Sequence, residues 1–516
     1  MTLKLKLYGI LMCCAFTTVH AQIENQFYKV DSFYINGDAI ITGNNILSED
    51  DTKELNDFSL LNDQIRMKYV DIDASSKTFS SSSATVAIQD SSATLVKATL
   101  YWAGIFPFLK GTKKEKPNEI FYYGSGDRKG PIESVLLKTP SNNEYQTVNG
   151  TILFDGLDKE GYEDSAPYFC FADVTELLKK SQHLNGEYTV ANIKATQGFV
   201  SGGGAAGWFL FIIYEAAGAR PKYISSFNGY APVNDNVVDI ELTDFKTREE
   251  GNIKASIYAA ALEGDAKLYQ DQLAIMKSGD SSFVALKNKL RPGKNFFSGK
   301  ISLNDDYIMN RKPASLNSLG FDVLKADVPD DVFSNSQTST TLRFSTKADR
   351  FYAFFSAVSI EISEIFQLNK EALTGDVILA ETNNETAQED NEVSAESQMV
   401  EEKALISEPE SPEPAKPRSV RETEKRMRTV NMTIPDQEPG YYIITNVFSK
   451  PSYAKRWEDF LKEKGHEPGN FVNPKNNWRY VYVNENIDLE LIYKSYLKLV
   501  KLDYFNEIWV FKVNMN

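Results

Sequence analysis

Between Asn369 and Gln437 the chain contains no Phe, Trp or Tyr, although aromatics make up 12% of its 516 residues. Glu381–Glu413 holds eleven acids against one base, Lys403, and Lys416–Arg428 holds six bases against Glu422 and Glu424. Such a stretch cannot bury enough apolar surface to offset its conformational entropy, so residues 367–437 read as a disordered, charged linker. As a random coil it spans roughly 45–50 Å. The linker separates a large part, 22–366, from a small one, 438–516, and both are apolar enough to form a core. The formal charge of −15 argues against nucleic acid as a partner, because affinity for phosphate backbones comes mainly from clustered Lys and Arg.

The N-terminus has the pattern of a secretory signal: a basic start through Lys6, an apolar run Leu7–Phe16, and a cleavage site at Val19-His20-Ala21. Residues 1–21 are expected to be removed, leaving a mature chain from Gln22. Cys13 and Cys14 support a competing lipoprotein reading, but Met12 stands where a small residue normally precedes the lipidated cysteine. A bilayer span needs roughly 20 apolar residues, so no transmembrane segment is expected in the mature chain. Cleavage leaves a single cysteine, Cys170, which cannot form an internal disulfide and sits in the apolar run Tyr168–Ala172 of a buried thiol.

Residues 22–366 alternate mostly with period two and favour aromatic and β-branched residues, as strands do. Ala93–Trp102, Tyr188–Ala195, Trp208–Tyr214, Val237–Leu242, Ile253–Leu262 and Phe351–Ile362 are examples, with turn-rich stretches between them. One short helix is expected at Val174–Lys180, N-capped by Asp173. Many strands and few helices predict a multidomain, mainly β protein. Its large part is a β-sandwich or jelly roll, built as one lobe or as two with a seam near residue 215.

The same region offers no catalytic residue, metal site or cofactor site. His183 is its one histidine, which argues against zinc clusters and Ser–His–Asp triads. Gly202–Gly207 lacks the Gly-Lys-Ser/Thr of a phosphate loop and reads as a flexible turn. Asp71-Ile-Asp73 and Asp327–Asp331 could offer oxygens to calcium, but isolated acidic pairs usually sit in solvated loops. His183 and His466 read as surface residues. Asp164-Ser-Ala166 fits a three-residue O-glycosylation pattern of Bacteroidota envelope proteins.

The small C-terminal part reads β-α-β-β-α-β, an α+β, ferredoxin-like order. Its elements are strand Tyr441–Val447, helix Tyr453–Lys464 closed by Gly465, a short strand near Asn470–Val472, strand Trp478–Val483, helix Asp488–Leu502 and strand Glu507–Val513. Alternation places Ile443, Val481, Val483, Ile508 and Val510 against the helices, where Leu489, Ile492, Tyr496 and Val500 point inward. The opposite side carries Tyr442, Ile444, Tyr480, Tyr482, Trp509 and Phe511, with Trp478 at its edge. A sheet face that meets water should be polar, so a bare aromatic face marks a binding surface. Flat rings with polar tips suit the apolar faces of sugars.

Tyr441-Tyr-Ile-Ile444, Ala454 and Leu461 ahead of Gly465, Arg479-Tyr-Val-Tyr-Val483 and Ile508-Trp-Val-Phe-Lys512 resemble the SPOR domain, the peptidoglycan-binding module of bacterial envelope proteins. The resemblance implies a four-stranded antiparallel sheet backed by two helices, binding glycan strands stripped of stem peptides. It implies contacts at Ile444, Val447, Trp478, Tyr480 and Trp509. The family often carries Gly-Ser-Phe after the first strand, where this chain has Asn446-Val447-Phe448. In the large part, Lys97–Gly104, Phe171–Thr175, Gly207–Glu215 and Ala261–Asp265 resemble a β-module of secreted proteins of Bacteroidota, the phylum of gliding motility and type IX secretion.

These resemblances imply a non-enzymatic envelope protein of the periplasm, at or near the inner face of the outer membrane. Its SPOR-like domain binds denuded peptidoglycan through Tyr442, Ile444, Val447, Trp478, Tyr480, Tyr482, Trp509 and Phe511, and its β-region docks an envelope complex of the gliding or type IX secretion kind. Two alternatives stay open: a protein–protein module in an outer-membrane or surface adhesin complex, and a targeting module of a peptidoglycan hydrolase.

Overall fold

The computed structural model describes residues 27–514 except 74, 118, 182, 235, 348–349, 371–419, 435–436, 474–476, 503 and 506–507. The protein is mainly β. Strand β1 (Tyr28–Asn45) is unusually long and serves two sheets. Its second half, Gly37–Asn45, pairs antiparallel with β3 (Ala206–Glu215), which also pairs with β2 (Thr94–Ile105). Its first half, Tyr28–Asn36, pairs with β4 (Pro221–Val233). The exchange falls between Asn36, opposite Pro221, and Gly37, opposite Glu215. A Cβ on Gly37 would lie 2.0 Å from the Tyr214 carbonyl oxygen, so the close approach at this corner requires glycine.

Beyond β4 the second sheet continues with β5 (Ala255–Leu262), β6 (Phe321–Asp327) and β7 (Phe351–Glu361), in the order β4-β7-β5-β6. The two sheets face each other across an aromatic layer. Tyr101 of β2 and Phe355 of β7 have ring centroids 4.8 Å apart, and Phe211 meets Tyr258 at 5.3 Å. In a flat sheet Tyr101 and Phe355 would be four strands apart, about 19 Å, so the ladder must fold back at β1. Strands that switch sheets in this way form the corners of packed sheets.

The outer faces are covered as well. Ala98, Leu100 and Trp102 of β2, with Trp208 and Leu210 of β3, pack under a five-stranded sheet that includes Ser81–Val86, Gly186–Ala191 and Ser134–Thr139. Ile257, Ala259 and Val358 pack under a four-stranded sheet that includes Val237–Leu242 and Thr340–Ser345. The result is two sandwiches set back to back, and the chain passes from one to the other between Glu215 and Pro221. Strands buried on both faces read as unbroken apolar runs, which is why β3 and β7 do not alternate. In the second sandwich the fully buried Arg291 meets Asp322 at 2.6 Å. The one helix expected here is α1 (Thr175–Lys179), whose N-cap is Val174 rather than Asp173; the Asp173 carboxylate still accepts from the Thr175 N–H at 2.8 Å.

The stretch read as a disordered linker is ordered at both ends. Residues 364–370 form α2, Val420–Arg426 form α3 and Val430–Met432 form β8. The expectation for 367–437 is corrected there, while 371–419 lies outside the described residues. Leu368 and Met427 supply the reason: both are buried in the C-terminal core, where aromatic neighbours make up for the polarity of their own segments.

The C-terminal module runs β9 (Gly440–Phe448), α4 (Pro451–Glu463), β10 (Gly469–Asn473), β11 (Trp478–Asn486), α5 (Leu489–Leu499) and β12 (Trp509–Val513). The sheet order is β8-β12-β9-β11-β10, with β8 parallel to β12 and the other pairs antiparallel. Gly465, at φ +85°, ends α4, and the Asp488 carboxylate caps α5 by accepting from the Glu490 N–H at 2.8 Å. Val500, the C-cap of α5, is exposed rather than inward.

The module sits on the corner where β1 changes sheets. Phe366 of α2 packs edge-on to Tyr34, while Ile365 and Leu368 enter the module's core. Gln367 donates to Asn36 Oδ1 (3.0 Å), Lys450 pairs with Glu215 (2.6 Å), Asn446 donates to Asn369 Oδ1 (3.1 Å), and Arg456 pairs with Glu364.

Candidate functional site

The C-terminal sheet has two distinct faces. Ile443, Val481, Ile508 and Val510 are buried against α4 and α5. The opposite face gathers all eight candidate residues: Tyr442, Ile444, Val447, Tyr480 and Phe511, with Trp478, Tyr482 and Trp509 packed against them. Ile444 and Val447 share this face despite their odd spacing because the β9–β11 register slips between Ile444 and Asn446, as at a bulge. Ile444 lies opposite Trp509 on one side and Tyr482 on the other, and Val447 lies opposite Tyr480.

The face is not bare. Tyr442, Ile444, Val447, Tyr480 and Phe511 are buried, and Trp478, Tyr482 and Trp509 are half-buried. Tyr480 stacks on Phe471 at 5.7 Å and meets Phe511 at 5.0 Å, while Tyr442 stands edge-on to Tyr482 at 5.1 Å. Met432 and Ile434 pack onto the same cluster. This corrects the expectation of an open aromatic surface: Met432 and Ile434 help make a second small core of it. Sequence reading missed Met432, Ile434 and Phe471. The alternation Val430-x-Met432-x-Ile434 at the end of the supposed linker was the available signal.

What stays within reach of solvent is a rim. Trp509 and Tyr482 flank β9 at two strand spacings, about 10 Å, and Trp478 lies four residues before Tyr482, about 13 Å along β11. Burial, followed by nearby Glu485, pushes the Tyr482 phenol up to about 12, and burial likewise raises that of Tyr442. Both hydroxyls stay protonated at neutral pH, and Tyr442 donates to the Glu438 carbonyl at 2.7 Å. The eight are aliphatic, Phe, Tyr and Trp side chains, so the arrangement can stack and hydrogen-bond a neutral ligand.

The other candidates are dispersed. Cys170 is buried, which pushes its thiol up and makes it unreactive. His183 is exposed, whereas His466 is half-buried with Nε2 2.7 Å from the Tyr504 hydroxyl. Asp71 accepts from Ser81, Asp327 from Ser256, Asp330 pairs with Lys254 and Asp331 with Lys277. Among the described residues no group of three or more His, Cys, Asp or Glu could hold a metal ion. Ser165, of the expected glycosylation pattern, is buried with its hydroxyl 3.3 Å from that of Tyr352, so the folded sandwich shields it from modification. The Gly202–Gly204 turn is packed rather than loose: a Cβ on Gly203 would lie 2.5 Å from that of Asn62. Among the described residues no helix is long and apolar enough to cross a membrane.

No protein-family model matches the chain, and no curated protein matches it. Among solved structures it is similar, at 10% identity and a TM-score of 0.17, to two crystal structures of BuGH86 in complex with neoagarooctaose, one wild type and one a point variant. The match covers 52% of this chain and 32–33% of BuGH86, so the chain spans about a third of that protein's length. The structure of infectious bursal disease virus, Gt strain, is similar over 65% of this chain and 70% of that one, at 10% identity and a TM-score of 0.14. Likenesses this distant carry no argument about fold or function.

Proposed function

We propose that the protein is a non-enzymatic envelope adaptor of the periplasm. Its SPOR-like C-terminal module holds peptidoglycan glycan, and its paired sandwiches dock an envelope complex of the gliding or type IX secretion kind. The observation that carries the reading is the row Trp509–Ile444–Tyr482 across three neighbouring strands on the helix-free side of the sheet, with Trp478 on the same face. Half-exposed rings bearing N–H and O–H groups can stack on sugar faces and bond their hydroxyls. An uncharged face suits a glycan strand whose charged stem peptides have been removed.

The test is co-sedimentation of the full chain with denuded and with intact sacculi. Denuded sacculi should retain it preferentially, and Trp509→Ala and Tyr482→Ala should each lower retention about tenfold, from roughly 1.5 kcal/mol per ring. Equal retention of wild type and both variants would sink the reading. Protein contact is the second reading, favoured by one observation: the edge of β12 already accepts a strand of polypeptide, β8. Failure to bind either sacculus preparation would put it first.

A further inference from the structure

Strand β8 does not belong to the β-α-β-β-α-β order of the module. It adds to the outside of β12 in parallel, with three residue pairs: Val430 opposite Phe511, Asn431 opposite Lys512 and Met432 opposite Val513. Val430 and Asn431 are exposed, so the strand is held chiefly by the ladder, by half-buried Met432 and by Ile434, which is buried in one cluster with Tyr442, Ile444, Tyr480 and Phe511. The sulfur of Met432 lies 3.9 Å from the Asn473 amide, and Tyr442 donates to the Glu438 carbonyl. A three-residue parallel ladder with two apolar anchors is the weakest attachment in this sheet.

Its flanks are held more firmly. On the N-terminal side Met427 is fully buried in the helix-side core, and Glu424 accepts from Lys512 at 2.8 Å and from Tyr441 at 2.9 Å. Between that anchor and β8, Arg428 adopts φ +54°, a left-handed conformation that a side-chain-bearing residue rarely adopts. On the C-terminal side the chain re-enters the sheet at Gly440. Residues 430–434 thus lie between firm anchors at Met427 and Gly440, are jointed at Arg428 and are weakly attached to the sheet.

We infer that β8 with Ile434 is a built-in, displaceable cover over the aromatic face, so that glycan gains Tyr442, Ile444, Tyr480 and Phe511 only when the segment swings off β12. This rests on the glycan reading above and adds its regulation. Apparent affinity then equals intrinsic affinity scaled by the fraction of molecules with the cover off. A partner or ligand that captures residues 430–434 raises glycan binding without touching the glycan.

Two measurements on the full chain separate the possibilities: amide exchange across Trp509–Val513, and retention on denuded sacculi, for wild type, Ile434→Ala, and Met432→Ser combined with Ile434→Asp. The double variant should exchange at least tenfold faster in β12 and be retained at least tenfold better, with Ile434→Ala between, while exchange in α5 stays unchanged and shows the module folded. Faster β12 exchange with equal, measurable retention of all three proteins overturns the cover and leaves the glycan reading standing. Faster exchange with no retention of any protein overturns both. Unchanged β12 exchange overturns the cover directly, and if the double variant unfolds, Ile434→Ala decides by the same criteria.

Discussion

Asp322→Ala offers the sharpest test of how the second sandwich is held together. The Arg291 guanidinium is fully buried; it donates to Asp322 at 2.6 Å, to the carbonyls of Phe296 at 2.7 Å and Lys300 at 2.6 Å, and to the Ser302 hydroxyl at 2.9 Å. Asp322 in turn accepts from the backbone N–H groups of Ser298 (3.3 Å), Gly299 (2.9 Å) and Lys300 (3.1 Å). Removing one partner of a buried pair costs about 3–5 kcal/mol because the other charge stays buried without compensation. Each backbone donor left without an acceptor adds about 1–3 kcal/mol. These terms overlap, so about 5 kcal/mol is the working figure, between three and four powers of ten in the unfolding equilibrium. Asp322→Asn, which keeps an acceptor oxygen and the shape, should lose about half as much. The five tryptophans, Trp102, Trp208, Trp457, Trp478 and Trp509, belong to buried clusters other than that of the second sandwich, so fluorescence reports this event only indirectly. Amide exchange in Ala255–Leu262 and Phe321–Asp327 reports it directly. A loss of protection below tenfold in Asp322→Ala, or equal losses in the two variants, would refute the reasoning.

Gly37→Ala should lower stability by about 3 kcal/mol, the top of the overpacking range, because the new Cβ meets backbone atoms of Tyr214 and Glu215 that cannot rotate away; calorimetry should show the melting temperature several degrees lower, and an unchanged value would mean the corner is slack. For Asp73, burial favours the protonated acid, but hydrogen bonds from Tyr145, the Ser75 N–H and Thr78 outweigh it and hold the carboxyl down to about 2. With the folded value below the unfolded one, this contribution is present above about pH 4 and lost as pH falls toward 2. Melting of wild type should therefore drop between pH 5 and pH 2.5 by more than that of Asp73→Asn; parallel curves would exclude the role.

The mainly β class could be read from period-two alternation, and in the C-terminal module the same alternation sorted side chains onto the two faces that the buried clusters show. The folded-back ladder could not be read, because β3 and β7 lose their alternation when both faces are covered, and nothing local in a strand says which sheet will cover it. Seven of the eight rim and face residues follow from spacing alone; Val447 sits with them only because of the slip near Asn446, which spacing cannot reveal. The covering segment escaped because composition was averaged over a long polar stretch in which Val430, Met432 and Ile434 are a small minority. Leu368 and Met427 escaped for the same reason: one anchored side chain is invisible to a window dominated by charge.

The corner at Gly37 has a consequence for how the chain comes into being. β1, near the start of the chain, completes edges of both sandwiches, while β7, more than 300 residues later, fills the middle of the second sheet between β4 and β5. The β4-β7-β5-β6 sheet cannot close until that late strand arrives, so the nascent polypeptide carries long, half-matched strands exposed until then. A molecule wired this way favours a holding chaperone during synthesis, and truncations anywhere before residue 361 should yield aggregates rather than a smaller folded protein.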